Sequence, residues 1–318
     1  MKENLPYKFL LYFLLIIFAA IFLLPMLWTF FASLKHPGMV LETRWLPFRK
    51  RETVEIHGRS YHFNIVDKKG NSFIVKLVET GEQLELSKNQ VEKFAPTLVN
   101  YKEALTILPF GRFFLNSLFV SLSIMFGQLL ICSLGAYAFA RLDFPGRDKV
   151  FFIYLATLMI PGQLLTLPLY LILREFGMID SYYGVILPGL FSAYGTFLLR
   201  QFFKTIPRDL EDAARIDGSS AFGIYWRIIL PLSKPALATL GIFIFVSAWN
   251  DFFWPFIVLS DNSKMTLTVG LAQFNDLFLA DWGKLMAGSM ISLIPVLIVY
   301  LLFQKFINRG IALTGLKE

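Results

Sequence analysis

Residues 211–235 read EDAARIDGSSAFGIYWRIILPLSKP, a charged, Ala- and Gly-punctuated stretch between two long apolar runs. Pro207 suits the first turn of a helix, and Arg208 to Ile216 are good helix formers. Asp217-Gly218 can end that helix, because glycine tolerates the left-handed position just past a helix C-terminus. Ser219 or Ser220 then caps a second helix running through Phe222 and Trp226 towards Pro231. The predicted unit, 205–235, is a helix, a glycine bend and another helix. Leu210, Ala213, Ala214 and Asp217 share one face of the first helix by their three- and four-residue spacing. The two alanines keep that face low, so it can approach another backbone or enter a narrow groove. Spacing alone fits a plain connecting loop equally well.

The surroundings of this segment are those of a membrane protein. Of 318 residues, 56% are hydrophobic and 17% charged, and the mean hydropathy is +0.58. A soluble domain is about 45–50% apolar and about 25% charged. The net charge of +7 gathers beside apolar runs, which reads as the charge bias of cytoplasmic loops rather than nucleic-acid binding. Cys132 is the single cysteine, so neither an internal disulfide nor a cysteine metal site is available. His36, His57 and His62 fall in one loop without ligand spacing.

A bilayer core of about 30 Å takes about 20 apolar residues in a helix. Six segments qualify: 9–31, 113–140, 150–173, 182–204, 236–259 and 285–307. The first is longer than a signal-peptide core and is kept as a permanent span. Pro25, Pro161, Pro168, Pro188, Pro255 and Pro295 predict kinks within the spans, not their absence. Short loops on one side carry Lys2, Lys8, Arg141, Arg147, Lys149, Arg200, Lys204, Arg208, Arg215, Arg227, Lys234, Lys305, Arg309 and Lys317. Those on the other carry only Arg174, Lys264 and Lys284. The contrast predicts that both termini are cytoplasmic. Trp249, Trp254 and Trp282 near the outer boundary fit an aromatic belt.

Within the long loop 32–112, RSYHFNIVDKKGNSFIVKLVETGEQLEL alternates with period two. Tyr61, Phe63 and Ile65 stand against His62, Asn64 and Val66; Phe73, Val75 and Leu77 stand against Ile74, Lys76 and Val78. DKKGN and ETGE supply the turns. With Val54 and Ile56 this predicts three to five strands across about 50–90. Such a unit is either a docking module or a decoration without a separable role.

The spacing within the opening segment carries a resemblance. Asp212-Ala213-Ala214, then Gly218, then Ile228, Leu230 and Pro231 match at every interval the signature of the permease subunits of bacterial ABC importers. Asp212 stands where that family usually has Glu, and Glu211 precedes it. The chain further resembles sugar-importer permeases of the maltose-permease type. The likeness runs through NSLFVSLS (116–123), LGAYAFARLDFPGRD (134–148), MIPGQLLTLPLYLI (159–172), WNDFFWP (249–255), MAGSMISLIPVL (286–297) and FQKFINRGIALTGLKE (303–318). Residues 48–96, between WLP (45–47) and TLVNY (97–101), depart from the family as an insertion.

The resemblance implies an all-α polytopic membrane protein with six transmembrane helices of the type I ABC importer permease fold. It comprises an N-terminal helix (1–35), a β-rich extracytoplasmic insertion (48–96) and a core (97–318). The implied function is transport, not catalysis: a permease for an oligosaccharide, or a related polyol or glycoside, in a bacterial or archaeal cytoplasmic membrane. The bend 205–235 is implied to be the coupling segment to a separate ATPase through Glu211, Asp212, Ala213, Ala214, Asp217, Gly218, Ile228, Leu230 and Pro231. Thr314, Gly315 and Lys317 are implied to reach the same ATPase. The sequence lacks a G-x-x-x-x-G-K-[ST] loop. No cofactor is therefore expected in this chain, ATP and Mg being bound by the partner. Expected partners are the ATPase dimer, a second homologous permease, an extracytoplasmic sugar-binding protein and membrane lipid, without nucleic acid. Asn116, Gln128, Asn250 and Asp251 are polar at bilayer depth and are candidates for the pore or gate, or for interhelical hydrogen bonds. A polytopic membrane enzyme or an ion-driven carrier is the competing reading.

Overall fold

The computed structural model describes residues 5–36, 39–40, 45–50, 53–56, 59–69, 72–276 and 281–315. Two compact units divide the chain: 1–108 with 273–291, and 109–272 with 292–318.

In the first unit, helix α1 (Leu5–Ser33) exposes apolar side chains all round, the pattern of a helix solvated by lipid. Then follow β1 (Phe48–Lys50), β2 (Thr53–Ile56), β3 (Arg59–Lys69), β4 (Ser72–Leu77), β5 (Gln83–Ser87), α2 (Lys88–Val91), β6 (Glu92–Phe94) and α3 (Val99–Ile107). β2 to β5 form an antiparallel sheet in chain order, and β1 pairs with β6. Val54, Phe63, Phe73, Val75, Leu77, Leu86 and Val91 are its core, as the period-two alternation predicts. Val66 departs from the ladder. Ile65 faces Val75 and Asp67 faces Ile74, so Val66 is the extra residue of a bulge. Gly81, at φ +72°, makes the ETGE turn; Gly70 and Asn71 of DKKGN lie outside the described residues. Asn100, of TLVNY, is fully buried and donates to the carbonyls of Ser33 (2.8 Å) and Lys35 (2.7 Å). It thereby caps the orphan carbonyls at the end of α1.

The second unit contains α4 (Phe110–Arg141), α5 (Arg147–Ala156), α6 (Thr166–Glu175), α7 (Tyr182–Gly189), α8 (Ala193–Thr205), α9 (Asp209–Ile216), α10 (Ala221–Ile224), α11 (Leu230–Leu232), α12 (Lys234–Asn250) and α13 (Phe253–Val258). Helices α14 (Leu267–Asp276) and α15 (Trp282–Gly315) pass from one unit to the other. Three helical stretches are long and apolar enough to cross a bilayer unbroken: Lys8–Ser33, Phe110–Arg141 and Trp282–Gln304. Three more are bent pairs: Arg147–Met159 with Gly162–Glu175 (92°), Tyr182–Gly189 with Ala193–Thr205 (42°), and Ala221–Leu232 with Lys234–Asn250 (78°).

The prolines explain part of this. Ile160 is extended (φ −86°, ψ 116°), as a residue before proline prefers, and Pro161 has no N–H to continue the ladder. Pro25 and Pro295, by contrast, sit inside continuous helices. The span expected at 236–259 is shorter than predicted. Its helix stops at Asn250, and Asp251 accepts from the Trp254 N–H (3.4 Å) to start the separate helix α13. Trp249 also corrects an expectation. It is buried, not an interface anchor, with its indole donating to the Ser292 carbonyl at 3.0 Å.

Helix α4 is the spine of this unit, packed chiefly on α8 and α12. Small residues allow the approach: a Cβ on Gly195 would sit 3.2 Å from Cys132 Sγ.

Candidate functional site

The bend at Gly218 is closed by backbone geometry. The Ser219 N–H donates to Ala214 O (2.9 Å) and the Gly218 N–H to Arg215 O (3.0 Å), the paired bonds of a Schellman terminus. Gly218 has φ +80°, and a Cβ there would meet nothing within 4 Å. The glycine is therefore required by the dihedral and not by crowding. Ser220, not Ser219, caps the next helix, accepting from the Gly223 N–H at 3.1 Å. The second limb is less regular than predicted: after α10, Tyr225–Ile229 form a π-turn before α11. Pro207 precedes α9, whose N-cap is Arg208.

One face of this bent segment is rooted on α4. Ser133, Tyr137 and Arg141 recur every four residues and so line one stripe of that helix. Ser133 Oγ hydrogen-bonds Tyr225 Oη at 2.7 Å, and Tyr137 Oη donates to Ala221 O at 3.0 Å. Arg141 Nε lies 3.0 Å from Glu211 Oε1, with both side chains 3% exposed. The same guanidinium donates to the Phe203 carbonyl and, at 2.6 Å, to the Ile206 carbonyl. Arg141 thus ties the ends of α4 and α8 to α9. Arg200 repeats the device in reverse: from α8 it donates to Phe139 O on α4 (3.1 Å) and pairs with Asp148 (2.9 Å). Ile224, Tyr225 and Ile229 complete the root in a core with Cys132, Ala136, Leu199 and Phe203.

The opposite face is open. Leu210, Ala213, Asp217, Phe222 and Trp226 are exposed, Ile216 is 88% exposed, and the rings of Phe222 and Trp226 stack at 6.4 Å. The two adjacent carboxylates therefore differ. Glu211 is sealed against Arg141, whereas Asp212 is exposed beside Arg215, 3.3 Å away. Ala214, Ile228 and Leu230 are half-buried against the core, and Pro231 is exposed. Thr314 and Gly315 belong to the last turn of α15, while Lys2 and Lys317 lie outside the described residues.

The four intramembrane candidates are not brought together. Asn116 donates to the Ser263 (3.0 Å) and Met265 (2.9 Å) carbonyls, tying α4 to the loop between α13 and α14. Asn250 bonds back to Val246 O on its own helix (2.9 Å). Asp251 starts α13, and its carbonyl accepts from Thr268 Oγ1 at 2.7 Å. Gln128 is half-buried midway along α4.

Sequence reasoning missed a second constellation, at the far end of the α7–α8 pair. Asp180 is the non-glycine residue at positive φ (55°) among those described. Its Oδ1 accepts from the Ser260 and Asp261 N–H groups (2.9 and 3.0 Å), and Lys264 Nζ reaches its Oδ2 at 2.8 Å. The Asp261 N–H and the Lys264 ammonium together hold the Asp180 carboxyl down at about 2, against 3.8 ordinarily. The same contact pushes the Lys264 ammonium upward. The one available signal was an Asp in a loop, a residue type that tolerates the left-handed region.

Known proteins share this architecture. A bacterial ABC transporter involved in the import of the acidic polysaccharide alginate superposes with a TM-score of 0.70 at 24% identity, over 96% of this chain and 98% of that one. It shares the fold. The arabinooligosaccharides transport system permease protein AraQ of Halalkalibacterium halodurans is 37% identical over 208 residues, 65% of this chain and 75% of the relative. The sn-glycerol-3-phosphate transport system permease protein UgpE of Yersinia pestis is 38% identical over 205 residues, 64% of this chain and 73% of the relative. Residues 131–313 match the family model described as the binding-protein-dependent transport system inner membrane component. Those residues hold the bend, the Ser133–Arg141 end of α4 on which it is rooted, α8 and α12, and by them the chain belongs to that family, the membrane permeases of binding-protein-dependent ABC importers.

Proposed function

We propose that this chain is half of the translocation path of an ATP-driven sugar importer, taking an oligosaccharide or a related polyol or glycoside. A second homologous permease supplies the other half. An ATPase dimer binding ATP and Mg drives both, and an extracytoplasmic sugar-binding protein delivers the substrate. The names of the relatives support a carbohydrate or polyol substrate. In this reading each bent pair is one span, the chain crosses the membrane six times, both termini lie in the cytoplasm of a bacterial or archaeal cell and the strand-rich 48–96 unit lies outside; the charge bias of the short loops supports it.

The observation that carries this reading is the two-faced bend. Exposed apolar side chains grouped around a charged bend mark an interaction surface. In this segment Leu210, Ile216, Phe222 and Trp226 face outward while Glu211, Ile224, Tyr225 and Ile229 hold the inner face to α4 and its neighbours. An ATPase docked on the outer face pulls, through the inner one, on α4, α8 and α12 together. Asp212 offers that partner a negative charge; Glu211 acts inward, as an anchor. Thr314, Gly315 and Lys317 add a second contact with the same ATPase.

The test is co-purification and uptake. Tagged protein solubilised from its native membrane retains an ATPase, and Ile216→Asp sharply lowers that retention. Gly218→Pro, which cannot adopt φ +80°, abolishes uptake while membrane insertion is intact. Normal uptake by Gly218→Pro, or absence of an ATPase from the wild-type preparation, removes the coupling assignment.

A further inference from the structure

Helix α3 is covered by protein on one side. Asn100 and Ala104, four residues apart, are buried, and the Asn100 amide reaches back to the end of α1. Further ties lie at the same level. The Thr97 N–H donates to Leu34 O (2.9 Å), Tyr101 Oη meets Ser33 Oγ (2.8 Å), and Lys284 Nζ lies 3.2 Å from Glu103. A Cβ on Gly283 would fall 2.7 Å from Asn100 Oδ1, so the backbone at the start of α15 closes the buried side. These contacts fix α3 beside the last turn of the apolar span Lys8–Ser33.

The other side is uncovered and largely apolar. Leu98 and Leu105, seven residues and so two turns apart, share one flank and are 69% and 50% exposed. Lys102 and Thr106, both exposed, follow on the side away from Asn100. The Ala95 N–H donates to Pro47 O (2.9 Å), which sets the exposed Trp45 and Leu46 next to the chain leading into α3.

We propose that this flank docks on the bilayer itself, lying in the interfacial zone at the Ser33 end of α1, with Leu98, Leu105 and Trp45 towards the acyl chains and Lys102 among the headgroups. The flank continues from α1, whose apolar side chains are exposed all round, so the lipid that solvates the span meets α3 where the span ends. A tryptophan at the end of a span fits the headgroup boundary, which suits a ring with an apolar body and a polar N–H. A helix with leucines on one flank and a lysine beside them sinks its apolar side while the ammonium extends to phosphate. The role of α3 is to set the depth of α1: Asn100 grips the end of the span from a helix that floats at the surface.

The experiment uses the full chain, purified with its native partners and reconstituted in vesicles of phosphatidylethanolamine and phosphatidylglycerol. Cys132 is fully buried, so a nitroxide can be placed through Leu98→Cys, Leu105→Cys or Lys102→Cys. Each label is relaxed by oxygen, which concentrates in lipid, and by a nickel chelate, which stays in water. At positions 98 and 105 oxygen is expected to act about threefold more strongly than nickel, and at position 102 the order reverses, as for an interfacial helix. Stronger relaxation by nickel at positions 98 and 105 overturns the proposal in favour of water. Weak relaxation by both reagents there overturns it in favour of a covering protein. A second variant, Leu105→Asp, is expected to raise the nickel relaxation of the label at position 98 about twofold by lifting the flank out of the interface. An unchanged ratio at position 98 overturns the role of Leu105 in holding α3 on the bilayer.

Discussion

Two ion pairs hold this chain at opposite ends of the α7–α8 pair, and they are built from the same chemistry in different solvents. Arg141 and Glu211 meet at 3.0 Å with each side chain 3% exposed; Lys264 and Asp180 meet at 2.8 Å with 35% and 32% exposed. The distances are alike, so burial separates them. A buried pair surrenders the hydration of both charges and regains it only while both partners are present, whereas an exposed pair is backed by water. The first therefore fixes where α9 sits on α4, and the second trims two loops together.

The sharpest way to break this contrast is Arg141→Met. It leaves the buried Glu211 carboxylate with the more distant Arg215 (3.9 Å) and frees the Phe203 and Ile206 carbonyls, at a cost of up to about 3–5 kcal/mol. Thermal unfolding of the purified chain in detergent reads it. The double variant Arg141→Met with Glu211→Leu is expected to be more stable than Arg141→Met alone, since it removes the poorly compensated buried charge. A double variant worse than both singles would show that the pair is not the source of the loss.

Next in size is Gly218→Ala. A Cβ meets nothing there, so the cost is the left-handed backbone alone, about 1–2 kcal/mol. It falls on the bend, and uptake is expected to drop more than the unfolding temperature does. Equal losses in both would mean that the bend matters for stability and not for transmission.

The difference between these two sites is also the difference in what the chain betrays. The Gly218 bend was legible because its determinants are local: a helix-forming run, Asp-Gly, and a capping serine within a few residues. The strand unit was legible for the same reason, through Phe63, Phe73, Val75 and Leu77 at period two. Arg141 and Glu211 are 70 positions apart, and nothing local to either marks the other. Arg141 and Arg200 had counted as cytoplasmic loop charge, yet both are buried in the ends of helices. Asp180 and its N–H donors 80 residues away are likewise invisible until the loops are folded. The early stop of α12 at Asn250 followed from Asp251 starting a new helix, in a stretch that is apolar on both sides of the Asn250-Asp251 pair.

Tyr137→Phe probes the middle of the α4 stripe. It removes the hydroxyl that donates to Ala221 O and keeps the ring packed on Tyr225, 5.3 Å between centroids. The expected loss is about 1 kcal/mol, read in the same unfolding assay. A loss as large as that of Arg141→Met would mean that the stripe acts as one unit, and would require a double-variant cycle of the two.

The smallest effect belongs to the exposed end. Asp180→Asn keeps an acceptor for the Ser260 and Asp261 N–H groups and tolerates φ 55°, losing only the charge offered to Lys264. The cost is under about 1 kcal/mol, and it shrinks with added salt. Its pH dependence has a definite sign. The carboxyl sits at about 2 when folded and near 3.8 ordinarily, so the unfolded chain binds the proton first as pH falls. The stabilisation is fully present above about pH 4 and is lost between about pH 4 and 2. The difference between wild type and Asp180→Asn is thus expected to be flat from pH 5 to 8 and to close only below that window. A difference that varied with pH near neutrality would locate the titrating group elsewhere. The exposed pair would then be coupled to groups as deeply placed as those around Arg141, and burial would no longer separate the two pairs.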